Sequence, residues 1–100
     1  MGRDTMLNGK RRNAMEITVG VLEEARNGIN KTRLVYRTNL NFLLIQKYTD
    51  FLQQKGLIEF VSEPQPVYRT TQKGIELLDE FSKIKQILGA NDLSIDEVSG

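Results

Sequence analysis

Cysteine and histidine are both absent from the 100 residues. Their absence removes disulfide frameworks, thiol nucleophiles, zinc sites built on those ligands and imidazole acid/base catalysis. No glycine-rich phosphate loop is present either, which leaves a catalytic role little to stand on. The longest uninterrupted apolar run is Phe42 to Ile45, far short of the roughly 20 residues that span a bilayer. The basic residues Arg3, Lys10, Arg11 and Arg12 near the start are followed by no apolar stretch, so they do not read as a secretory signal. These absences point to a cytoplasmic protein without enzyme activity, metal or cofactor, and no small-molecule ligand is evident.

What is present suits one folded domain: 39% apolar and 27% charged side chains, with a formal net charge of +1. A chain of this size buries roughly two thirds of its unfolded surface, enough for one compact core. The charge is unevenly spread. Residues 1–55 carry ten basic groups against five acidic ones, whereas residues 56–100 carry four against eight. Such polarity suits a protein that turns one face to a polyanion and another away from it.

Along the chain, Ala14, Ile17, Val21, Leu22 and Ala25 predict a first helix over Asn13–Arg26, with Gly28 at its C-terminal cap. Asn30 is placed to cap a short second helix, Lys31–Arg37, with Ile29 stapled against Leu34. Thr38 or Asn39 must supply the bend that follows, because the turn contains no glycine. Asn41 then caps a third helix that ends at Gly56. Leu44, Tyr48, Phe51 and Leu52 are its expected buried stripe, with Phe42, Leu43, Gln46, Thr49, Asp50 and Gln53 on the opposite face. Leu57–Val61 and Val67–Thr70 read as two short strands around a proline-containing turn, Ser62–Pro66. Thr70 or Thr71 caps a last helix that runs to about Leu88 and stops at Gly89.

The predicted fold class is therefore α+β, mostly α. Its element order is that of a winged helix-turn-helix: three helices, a β-hairpin wing and a long C-terminal helix. The expected organisation is a flexible basic arm at 1–9, the winged domain at 10–70, a dimerisation helix at 71–89 and a mobile acidic tail at 90–100.

The stretch Lys31-Thr-Arg-Leu-Val-Tyr36, with Asn39-Leu40, Tyr48, Leu52, Gly56-Leu-Ile-Glu59, Tyr68, Thr71-Gln-Lys-Gly74 and Glu76-Leu-Leu78, resembles archaeal winged-helix DNA-binding proteins. Within them it is most similar to the small chromatin-associated group that dimerises through a C-terminal antiparallel coiled coil. The resemblance spans about residues 14–88. It implies double-stranded DNA as partner, a homodimer, a nucleoid-associated location, and a role in transcription regulation or chromatin organisation. The alternative is a winged-helix adaptor that docks on protein without touching DNA.

Candidate contact residues follow from this order of elements. Arg33 and Arg37 lie at i, i+4 on helix two with Lys31 at its start, placed to clamp phosphates. Gln46 can pair with adenine in the major groove, Asn41 or Thr49 can reach a base edge or phosphate, and Lys47 flanks them. Residues 33, 37 and 46 are expected to form a single ridge. Lys10, Arg11 and Arg12 form a basic arm, and Arg69 stands at the base of an otherwise acidic wing. On the last helix Leu77, Phe81, Ile84 and Leu88 form the stripe expected to meet a second copy, while Ile75 and Leu78 face the domain.

Overall fold

Local capping sets most of the helix boundaries. The structure, a computed structural model, describes residues 12–89. Helix α1 covers Ala14–Glu24 and opens with a reciprocal box: Asn13 Oδ1 accepts from the Glu16 N–H at 2.8 Å, and Glu16 Oε1 accepts from the Asn13 N–H at 3.1 Å. Two otherwise unpaired donors are satisfied this way. The helix stops slightly earlier than its periodicity suggests, and the chain turns through Gly28 at φ +94°.

Helix α2 covers Lys31–Thr38, capped by Asn30, whose side chain accepts from the Arg33 N–H at 2.8 Å. Asn39, at φ 60°, is the only non-glycine residue with positive φ among the described residues and supplies the bend. Helix α3 covers Phe42–Gln54, capped by Asn41 in the same manner. Strands β1 (Ile58–Val61) and β2 (Val67–Thr70) pair antiparallel, with Ile58 opposite Thr70 and Glu59 opposite Arg69. Ile29 adds a bridge to Tyr68 through two backbone hydrogen bonds of 2.9 and 2.8 Å, so the turn before α2 is sewn to the hairpin. Helix α4 covers Gln72–Leu88 between the caps Thr71 and Gly89.

The core lies where α1, α2 and α3 converge over the hairpin. Val21, Leu22, Leu34, Ile45 and Leu52 are wholly buried, with Ile17, Ile29, Ile58, Tyr68 and Leu78 around them. Full burial of each aliphatic side chain of this kind contributes about 1.5–3 kcal/mol. Thr70 Oγ1 fastens the hairpin to this core by donating to the carbonyl of Leu22, and Thr71 Oγ1 ties the start of α4 to the end of α3 by donating to that of Gly56, both at 2.6 Å. The architecture is a winged helix-turn-helix, with α2 and α3 as its helix pair and β1–β2 as its wing.

One expectation about α3 is corrected. Its buried stripe is Ile45–Thr49–Leu52, not Leu44–Tyr48–Phe51–Leu52. Leu44 and Tyr48 are only half-buried, and Phe51 is 48% exposed. The helix is rolled by about one residue, near 100°, relative to the stripe expected from sequence.

Candidate nucleic-acid interface

The roll of α3 decides which side chains it presents. Leu43, Lys47 and Asp50 are exposed along its outer face, and Gln46 is half-buried at the edge of that face toward α2. Thr49 was expected on this surface and is instead fully buried, its hydroxyl donating to the carbonyl of Ile45 at 2.8 Å. A side chain so placed has nothing to offer a base or phosphate. A threonine can occupy an apolar helix face because its hydroxyl bonds back to the preceding turn.

Gln46 is held from both sides. Lys31 Nζ donates to Gln46 Oε1, and Gln46 Nε2 donates to Asp50 Oδ1 at 2.8 Å. The start of α2 is thereby tied to the middle of α3, and an ammonium, an amide and a carboxylate stand in a row across the junction. The i, i+4 spacing of Gln46 and Asp50 makes their contact possible. Sequence spacing gives no signal for the contact between Lys31 and Gln46, since it depends on how the two helices cross.

The single ridge of residues 33, 37 and 46 is not formed. Arg37 Nε donates to Glu24 Oε1 of α1 at 3.1 Å. Lys31 and Val35 lie on the flank of α2 that meets α3, whereas Arg33 and Arg37 lie on the other flank of its buried edge, Leu34 and Thr38. A step of two residues turns a helix by about 200°, so 31 and 33 point almost oppositely. Arg33 is exposed and Arg37 remains 58% exposed despite its ion pair. Both therefore stay in solvent, but on the side of α2 away from the α3 face.

Arg12 is fixed rather than part of a free arm: its guanidinium donates to the Thr38 carbonyl at 2.7 Å, at the end of α2. Lys10 and Arg11 lie outside the described residues, as do the expected arm at 1–9 and tail at 90–100. Asn41 commits its side-chain oxygen to the Leu44 N–H at 2.8 Å, leaving its NH2 group as a donor. Arg69 is exposed on β2, directly across the hairpin from Glu59. The wing residues Ser62–Pro66 are all exposed and include Glu63 but no lysine or arginine.

On α4 only Gly74 and Leu78 are buried. Leu77 and Phe81 are half-buried, Ile84 is 47% exposed and Leu88 61% exposed. Ile87, absent from the expected stripe, is 81% exposed. The distal turns of α4 thus present a bare apolar surface. Among the described residues no helix is long and apolar enough to cross a membrane, and no group of acidic residues is arranged to hold a metal.

The profile of the winged helix-turn-helix family matches residues 11–89. Among solved structures, the chain is similar to Sso10a-2, a DNA-binding protein from Sulfolobus solfataricus. That match has 32% identity and a TM-score of 0.65, covering 77% of this chain and 85% of that one. The fold is also shared with the multiple antibiotic-resistance repressor MarR from Listeria monocytogenes, at 14% identity and a TM-score of 0.57 over 83% of this chain and 63% of that one. It is shared again with the PcaV transcriptional regulator of Streptomyces coelicolor, at 21% identity and a TM-score of 0.58 over 88% and 67% of the two chains. No curated protein matches the chain by sequence.

Proposed function

Since the chain belongs to the winged helix-turn-helix family, we propose that it binds double-stranded DNA as a homodimer, acting in transcription regulation or chromatin organisation. The observation that carries this reading is the outer face of α3. That face is released from core packing and carries Lys47, with Lys31 of α2 at its margin. A helix with side chains is about 10–12 Å across, the width of the major groove.

In this reading α3 lies in the groove, with Gln46 and the Asn41 amide near base edges. Lys31, Lys47 and Arg69 meet phosphates, aided by Lys10 and Arg11, whereas Arg33 lies on the far flank of α2 and adds only to the long-range field. Arg12 and Arg37 serve the fold first, through their bonds to Thr38 and Glu24. The likeness to a DNA-binding protein at 32% identity supports the same assignment. Dimerisation through the distal turns of α4 would repeat the contact by two-fold symmetry.

A protein-docking role has one observation in its favour. Leu43 is 83% exposed and Phe42 53% exposed at the head of α3, where a polyanion gains little from them. Gel shift of random-sequence duplex over a salt series separates the two. DNA binding predicts affinity that falls steeply with salt, with the log–log slope reduced by about 1 for each of Lys31→Ala and Lys47→Ala. Absence of any shift at low salt would favour docking on protein.

A further inference from the structure

Asp50 is out of place on a helix face that meets only phosphate. It is exposed, it stands one turn from Lys47, and its charge opposes binding to any duplex regardless of sequence. Yet it is oriented: Gln46 Nε2 donates to Oδ1 at 2.8 Å, and Gln46 is itself held by Lys31. Among the described residues the second carboxylate oxygen takes no hydrogen bond and is left to accept from whatever α3 faces.

From this row of three side chains we infer that Asp50 is a specificity-determining residue that selects cytosine, and hence a C·G base pair, in the major groove. The inference rests on the DNA-binding reading above and deepens it. A carboxylate only accepts hydrogen bonds, and the donors on major-groove base edges are cytosine N4 and adenine N6. Adenine N6 lies between two acceptors, its own N7 and thymine O4, both of which repel a carboxylate. Cytosine N4 has one acceptor beside it, guanine O6, and the second N–H of Gln46 Nε2 is a donor suited to that oxygen. Lys31 fixes which end of the Gln46 amide points to Asp50, because its ammonium accepts nothing and must meet the amide oxygen. The row therefore sets both polarities: acceptor at Asp50, donor at Gln46.

The consequence is a selective protein. Away from a matching base pair, Asp50 repels the backbone. At the matching pair its desolvation is met by the cytosine amino group. Loss of a well-placed base contact weakens binding about tenfold or more.

The test is repeated selection from a random-sequence duplex library with the full chain, followed by titration of the enriched duplex. The wild type is expected to enrich sites with one invariant C·G pair in each half-site, and substitution of either pair to cost about tenfold or more. Asp50→Ala should lose preference at that position alone and bind random duplex more tightly than the wild type. Asp50→Asn, which adds a donor, should move the preference toward adenine. Binding of the wild type without any preferred base, or retention of the same C·G pair by Asp50→Ala, overturns the inference while leaving DNA binding intact. Failure of the wild type to retain any duplex overturns the DNA-binding reading, and this inference with it. Asp50 is exposed and serves no core contact, so circular dichroism of both variants should match the wild type.

Discussion

The guanidinium of Arg12 donates to the carbonyl oxygen of Thr38 at 2.7 Å, fastening the residue before the Asn13 cap of α1 to the last turn of α2. Helix C-terminal carbonyls lack partners within the helix and carry partial negative charge, so a cation there is doubly suited. Arg12→Ala should cost about 1 kcal/mol, lowering the melting temperature by about 4–8 °C for a domain of this size. Arg12→Lys should recover part of that. An unchanged melting temperature in the alanine variant would mean that the bond contributes nothing in solution.

Glycines 20 and 74 make a pair of opposite sign. A Cβ built on Gly74 would lie 2.3 Å from the Leu57 carbonyl oxygen and 2.5 Å from Thr70 Cγ2. The oxygen belongs to the main chain and cannot swing aside, so Gly74→Ala must push α4 off the base of the wing, at a cost of about 1–3 kcal/mol. A Cβ on Gly20 in mid-α1 would meet nothing within 4 Å. Gly20→Ala should therefore stabilise by about 0.5–1 kcal/mol through the unfolded chain and helix propensity. Urea unfolding of the two variants should move the midpoint in opposite directions.

Features governed by neighbours in sequence are legible in the sequence itself. Asn30 and Asn41 cap α2 and α3, Gly89 closes α4, and the left-handed bend falls on Asn39, one of the two residues the sequence offered for it. Each depends on a side chain bonding its own backbone a few residues away, or on tolerance of positive φ. What could not be read depends on how helices cross. Leu44–Tyr48–Phe51 is as regular a stripe as Ile45–Thr49–Leu52, and only packing against α1 and α2 chooses the one that contains a threonine. The division of the basic groups of α2 between Gln46 on one flank and Glu24 on the other was hidden for the same reason.

The buried position of Thr49 makes a clean test of that rolled helix. Valine has nearly the same shape, and the hydroxyl it removes bonds only to carbonyls within α3, those of Ile45 and Gln46. Thr49→Val should leave affinity for duplex DNA unchanged and alter stability by no more than about 1 kcal/mol. A loss of DNA affinity with an intact melting curve would return Thr49 to the groove face and contradict the burial described above.

The distal turns of α4 carry the last prediction. Its 17 residues extend about 25 Å, yet only the proximal part, at Gly74 and Leu78, is buried by the domain. Ile84, Ile87 and Leu88, 47%, 81% and 61% exposed, continue beyond it as one apolar surface. Covering each with a second copy contributes at most about 1.5–3 kcal/mol, from which the cost of association must be subtracted, so a dimer held only here should be concentration-dependent. Because these side chains hold no part of the core, an Ile87→Asp, Leu88→Asp variant should keep its melting temperature at high dilution. It should sediment as a monomer at concentrations where the wild type is a dimer. Its DNA affinity should then fall toward that of one half-site, since tethering two contacts is what multiplies their strength. A variant that still sediments as a dimer would move the subunit contact away from α4. A wild type that is monomeric at every concentration would mean that each copy meets DNA alone.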